Sequence, residues 1–166
     1  MFELKSLSSG GIASALQKAE RYRLLNDPAE AESICLDILQ IEPENQQAFV
    51  ALLLALTDQF RSGEAEAVNQ ARDILPRLQS EYEQAYYAGI ICERRAKAQL
   101  SHGQPGSGFY AYDWFREAMD CYEKAIVLRP PGNDSAILRW NACARFLMRH
   151  PHLKPREEER FEPFLE

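Results

Sequence analysis

Four cysteines (Cys35, Cys92, Cys121 and Cys143) and a His150-Pro151-His152 pair are the side chains best suited to metal or nucleophilic chemistry. The cysteines are widely separated and form no Cys-x-x-Cys pair, so zinc-ribbon and thioredoxin-like sites lack their signature. Each falls on a different predicted helix, where a free thiol acts as a small hydrophobe. That usage fits a reducing compartment. The two histidines flank a proline with no adjacent cysteine or carboxylate cluster, which reads as an exposed tail turn rather than a metal site. Glu157, Glu158 and Glu159 are consecutive, so on a helix they would point around it instead of converging as acid and base. Gly103 to Gly108 is glycine-rich, but no Gly-Lys-Ser/Thr follows, so it reads as a connector, not a phosphate loop. No serine, cysteine or histidine sits in a nucleophile motif. No catalytic residue, cofactor site or metal site is therefore assigned, and the chain is expected to work by binding.

The elements that would position a binding surface are helices. The chain has 166 residues, 46% hydrophobic and 27% charged, enough for one domain with a real core. Net charge is -6, and residues 1–80 carry 7 basic and 12 acidic side chains. A surface of that sign repels phosphate backbones, so no nucleic-acid partner is expected. Arg94, Arg95 and Lys97 form the one dense basic group, read as a solvated helix face. The longest apolar run, Ala48 to Leu56, is far short of the roughly twenty residues that a membrane span needs. No secretory signal is visible near Met1, and a cytoplasmic address is expected.

Apolar spacing of three and four predicts about seven helices. The first runs from about Ile12 to Leu25, and Asp27, Pro28 and Glu30 then open a second that ends before Pro43. Asn45 caps a third, Gln46 to about Phe60, apolar enough to be central. Ser62 and Gly63 make a turn to a fourth, in which Pro76 predicts a kink or early end. Ser80 with Glu83 opens a fifth helix, reaching about Leu100, with Gly103 as its stop. Residues 102–112 read as the longest loop, followed by a sixth helix from about Tyr112 to Leu128. The aromatics Phe109, Tyr110, Tyr112, Trp114 and Phe115 either plug this hairpin or offer a contact patch, with plugging preferred. Asn133 is the expected cap of a seventh helix ending near Arg149. Residues 1–11 are a lead-in, 12–149 the helical domain with the 102–112 loop inserted in its third hairpin, and 150–166 a tail.

Two stretches share a layout. Ala31, Cys35 and Ile38 precede Pro43, and Ala118, Tyr122 and Ala125 precede Pro130, with the same spacing in each. Small residues let a neighbouring helix approach, and the bulky ones fill the space beside them. The first hairpin spans close to about 34 residues, the period of tetratricopeptide repeats. The chain resembles that family over roughly residues 12–149. Ala19, Tyr22, Ala31, Cys35, Ile38 and Pro43 carry the first unit. Gly89, Ala118, Tyr122, Ala125 and Pro130 carry the third. The second, with Phe49, Leu52, Leu56, Ala67, Ala71 and Ile74, lacks the terminal proline.

The resemblance implies an all-α fold of antiparallel helix hairpins stacked as a short right-handed solenoid, with the seventh helix capping it. It also implies a protein-binding adaptor or chaperone, in which the first helices of successive hairpins line a concave groove. Projected onto this sequence, the groove residues are Leu16, Gln17, Glu20 and Arg23, then Gln47, Val50, Leu54 and Asp58, then Tyr86, Tyr87, Ile90 and Arg94. Leu138, Arg139, Ala142 and Arg145 extend it on the last helix. Such a groove, apolar in the middle with arginine at one end, suits an amphipathic helix or extended peptide of some acidic character. The alternative is a self-associating array whose groove takes its own or a neighbour's tail through Phe161, Phe164 and Leu165, which leaves a homo-oligomer open.

Overall fold

Local capping sets where the helices begin. The Asp27 side chain accepts from the Glu30 N–H at 3.3 Å, with Pro28 in the first helical position. Asn45 accepts from the Ala48 N–H at 2.9 Å, and Ser80 from the Glu83 N–H at 3.2 Å. Each satisfies an amide that a helix start otherwise leaves unpaired. In the computed structural model, which describes residues 1–62 and 65–157, seven α-helices follow: α1 (Ile12–Leu24), α2 (Pro28–Ile41), α3 (Gln46–Thr57), α4 (Ala65–Ile74), α5 (Glu81–His102), α6 (Ser107–Leu128) and α7 (Ser135–Arg149). No strand occurs among the described residues. The fold is all-α, as the spacing predicts.

Successive helices pack as hairpins: α1 on α2, α3 on α4, and the long α5 on α6, with α7 against α6. Contacts of α1 with α3 and of α3 with α5 join the hairpins along one face. The two repeated series are core residues. Ala31, Cys35 and Ile38, and likewise Ala118, Tyr122 and Ala125, have no exposed surface. As expected, α3 is central, burying Phe49, Leu52, Leu53 and Leu56 in a cluster with Phe60, Ala71, Ile74, Leu78 and Ile91. A second cluster gathers around Phe115, Ala118 and Tyr122. Leu54 and Tyr87 pack against both clusters and so join them.

The second hairpin departs from its neighbours where proline intervenes. α4 stops at Ile74, and a 3-10 turn, Leu75–Arg77, carries Pro76. Proline has no N–H to continue the α ladder. Gly63, expected in the turn before α4, lies outside the described residues, as do Glu158, Glu159, Phe161, Phe164 and Leu165 of the tail.

Two expectations are corrected. The inserted loop over 102–112 is far shorter: α5 reaches His102, α6 begins at Ser107, and only 103–106 connect them. Gly103 at φ 60° and Gly106 at φ 80° take left-handed conformations that reverse the chain quickly. The aromatics therefore sit on α6. Phe115 is fully buried against Phe146, with ring centroids 4.8 Å apart, and Trp114 lies 3.7 Å beneath the Arg95 guanidinium. Asn133 does not cap α7 from the adjoining position. The helix starts at Ser135, and the Asn133 Oδ1 accepts from the Ser135 N–H at 3.1 Å and from the Tyr82 hydroxyl at 3.3 Å.

Candidate functional site

The face shared by α1, α3 and α5 holds a groove of about 560 Å³. Successive turns of α1 supply Ala13, Leu16, Gln17, Glu20 and Arg23, which follow the three-and-four spacing of one helix face. α3 supplies Gln46, Gln47, Val50, Ala51 and Leu54, and α5 supplies Glu83 and Tyr87. Leu16, Val50, Ala51 and Leu54 make an apolar floor, with amides and the Glu20 and Glu83 carboxylates around it. Burial pushes the Tyr87 phenol up to about 12, with the nearby Glu83 charge adding to the shift.

One end of the groove is closed by ions. The Arg23 Nε donates to Asp58 Oδ2 at 2.8 Å and its second guanidinium nitrogen reaches Oδ1 at 3.4 Å. Arg94 approaches the same carboxylate at 3.5 Å. Two guanidiniums share one carboxylate, so this end carries an excess positive charge. Both the Arg23 and Asp58 side chains keep about a fifth of their surface exposed, so solvent weakens the pairing.

Of the projected residues, Leu16, Gln17, Glu20, Arg23, Gln47, Val50, Leu54 and Tyr87 line this groove, and Asp58 and Arg94 form its charged end. Ile90 is corrected: it is buried in the core of the third hairpin, one helical step from the groove face. Tyr86 sits behind the groove, stacked at 5.8 Å on Tyr82 and tilted against Tyr122. The extension onto α7 is corrected as well. Leu138 and Arg145 are exposed on α7 and do not line the groove, and Arg139 turns inward to Glu93. Ala13, Gln46, Ala51 and Glu83 are lining residues that the projection missed. Glu83 precedes Tyr87 by four positions, the spacing that puts both on one helix face.

Glu93 is the feature that sequence reasoning passed over. Its side chain is 1% exposed, within the α5–α6–α7 packing. Oε1 accepts from the Tyr122 hydroxyl at 3.1 Å, from Arg139 Nε at 3.1 Å and from Cys143 Sγ at 3.4 Å. Lys97 Nζ donates to Oε2 at 2.8 Å, and the Arg139 guanidinium makes a second, short contact there. Burial works against the charge, but the hydrogen bonds and charges of Lys97 and Arg139 outweigh it and hold the carboxyl below its ordinary value. Burial likewise raises the Tyr122 phenol, and the Glu93 charge adds to that. The cluster ties three helices together and offers no unpaired polar atom.

A second, shallower depression of about 670 Å³ lies where the 3-10 turn after α4, the start of α5 and the end of α6 meet. Leu75, Pro76, Ala85, Val127 and Leu128 make it largely apolar. The histidine pair belongs to neither surface. The His150 ring stacks on Phe146 at 4.2 Å, and its Nδ1 lies 2.8 Å from the Phe146 carbonyl. The described start of the tail runs over the first turn of α6, with Leu153 buried beside Gly108 and Arg156 above Phe109 and Tyr110. This is the His102 end of α5, some 20 Å along the helix from Tyr87 at about 1.5 Å per residue.

Comparison of the chain with protein-family models, curated proteins and solved structures yields no match.

Proposed function

We propose that the chain is a tetratricopeptide-like adaptor or chaperone that holds a segment of a partner protein in the α1–α3–α5 groove. The observation that carries this reading is the apolar floor of Leu16, Val50, Ala51 and Leu54, laid by α1 and α3, ringed by polar side chains and walled by Glu83 and Tyr87 of α5. An amphipathic helix or an extended peptide with spaced apolar residues would bury that floor, the main favourable term in such binding. Acidic residues on the segment would lie toward Arg23 and Arg94, where two cations share the Asp58 carboxylate. The mechanism is capture, in a reducing, cytoplasmic setting.

The test is affinity capture with three forms of the full chain: wild type, Val50→Lys and Val127→Lys. Lysine can direct its ammonium to solvent while its stem stays packed, so both variants should fold. Val50→Lys puts a charge on the groove floor, and Val127→Lys puts the same charge in the other depression. The expected result is a partner retained by wild type and Val127→Lys, with affinity lowered about tenfold or more by Val50→Lys. Equal capture by all three forms, with cooperative melting in each, overturns the groove assignment.

A further inference from the structure

The groove leaves a second apolar surface unused. It is the depression of about 670 Å³ between the 3-10 turn after α4, the start of α5 and the end of α6. On its wall Val127 is 86% exposed and Leu128 44% exposed, and Pro76 is exposed at its margin. The described start of the tail does not cover them. Arg156 stands over Phe109 and Tyr110, about 26 Å back along α6 from Val127 at about 1.5 Å per residue. Two charged side chains line the depression, Glu81 and Lys124. Neither enters an ion pair among the described residues.

The register of α5 on α6 fixes the order of these side chains. The Tyr122 ring fills the notch at Gly89, where an added Cβ would stand 2.5 Å from it. Arg95 over Trp114, and Tyr82 bonded to Asn133, belong to the same antiparallel pairing. Each step back from residue 89 is therefore matched by a step forward from residue 122. Glu81 comes level with residue 130, Gln84 with Val127, and Tyr87 with Lys124. Glu81 and Lys124 thus stand at opposite ends of the depression, about 9 Å apart along the seam, with Val127 midway.

That order is its own complement. A two-fold axis beside Val127 reverses it, which sets Glu81 of each copy against Lys124 of the other. The same rotation lays Val127 and Leu128 of each copy over the apolar hollow of the other. Isologous contact demands this self-complementarity, in which residue i meets j and j meets i. A rim of one sign would instead point to a partner of the opposite sign. We propose that the depression is a dimer face, closed by a second copy of this chain about a two-fold axis. Burial of Leu75, Pro76, Val127 and Leu128 drives the association, and the two rim ion pairs set its orientation. A face of this size stands at the low end of specific interfaces, so the dimer is reversible, with a Kd of about 10–100 µM. The groove takes Glu83 and Tyr87 from another face of α5, so the two surfaces are separate.

The test is sedimentation velocity on the full chain, at concentrations that bracket that Kd. Wild type should pass reversibly from monomer to dimer. Val127→Lys puts a charge beside the axis and should stay monomeric over the same range, with an unchanged circular dichroism spectrum. Glu81→Lys and Lys124→Glu each bring like charges together twice per dimer, so each alone should associate about tenfold or more weakly. Mixed in equal amounts, these two variants should dimerise with each other about as tightly as wild type, because opposite signs then meet at both contacts. A folding defect in either variant does not produce that recovery. A wild type that stays monomeric throughout overturns the proposal. So does a dimer that Val127→Lys leaves intact, charge variants that associate alone as wild type does, or a mixture that fails to pair. Loss of the dimer on deleting residues 158–166 also overturns it, and assigns the association to the tail.

Discussion

Substituting Gly89 by alanine sets two effects against each other, and the structure decides between them. In a helix interior, alanine is favoured over glycine by about 1 kcal/mol. On that count alone, Gly89→Ala should stabilise α5. The added Cβ, however, would stand 2.5 Å from Tyr122 Cε1, 2.7 Å from Cδ1 and 2.9 Å from Cζ. Tyr122 has no exposed surface. Its ring cannot withdraw without disturbing Phe115 and Ala118 in the same cluster, or the hydroxyl bond to Glu93 at 3.1 Å. Overpacking of this kind costs about 1–3 kcal/mol, and losing a hydrogen bond to a charged group about 1.5–3 kcal/mol. Net destabilisation of about 2–4 kcal/mol is expected once the propensity gain is set against those costs. Urea unfolding followed by far-ultraviolet circular dichroism reads it as a lower midpoint at an unchanged slope. The background Tyr122→Leu removes the ring, and there Gly89→Ala should become neutral or stabilising. A neutral Gly89→Ala in the wild-type background, or an equal loss in both backgrounds, would refute the seating of Tyr122 in the notch.

Glu93→Gln should lower stability by about 2–3 kcal/mol at neutral pH, because it leaves Arg139 and Lys97 without their shared counter-charge. The figure is held below the full cost for a buried pair, since both cations keep about a third of their surface in water. The pH dependence has a fixed sign. The folded-state carboxyl lies below its ordinary 4.5, so its contribution is fully present above about pH 4.5 and is lost as pH falls through the depressed folded value. Denaturant midpoints of wild type and Glu93→Gln should therefore converge in acid, and a constant gap from pH 7 to pH 2 contradicts the assignment. Deleting residues 158–166 keeps Leu153 and its seat beside Gly108. If a neighbour's tail fills the groove, sedimentation velocity should show a smaller species after the deletion, and an unchanged coefficient removes that alternative.

What could be read in the sequence was mostly local. Asp27, Asn45 and Ser80 announce helix starts because a cap and its amide lie three residues apart, with no tertiary contact required. The Ala31 and Ala118 series are legible for a related reason: close helix packing demands small residues at fixed spacing, and the spacing survives in the chain. Among the readings that fail, two show why. Gly103 to Gly108 suggests a long loop, yet two left-handed glycines complete the reversal by Gly106, and Gly108 is simply helical. Ile90 projects onto the groove because a small error in helix phase turns one face into the next. Glu93 could not have been found this way. In the run Glu93-Arg94-Arg95-Ala96-Lys97 it reads as one charge on a solvated face. Only the arrival of Arg139, Tyr122 and Cys143 from two other helices makes it a buried carboxylate.

The distribution of polar chemistry separates holding from support. In the third hairpin, the Glu93 carboxylate faces inward and is fully engaged. A partner lying on α1, α3 and the first turns of α5 would not meet it directly. It would meet Tyr87, whose ring packs against both core clusters. Tyr87 touches Tyr86 edge-on at 5.0 Å, and Tyr86 leans on Tyr122 at 5.9 Å. Any shift of Tyr122 in its notch therefore passes through two rings to the groove wall. A closely packed interior transmits such shifts because its voids are too few to absorb them. Substitutions at Gly89 or Glu93 should thus be judged on two scales, overall stability and the seating of Tyr87. The groove residues Gln17, Gln47 and Val50 do not lie on that chain of rings, so their substitution changes the surface that a partner meets without moving the frame behind it.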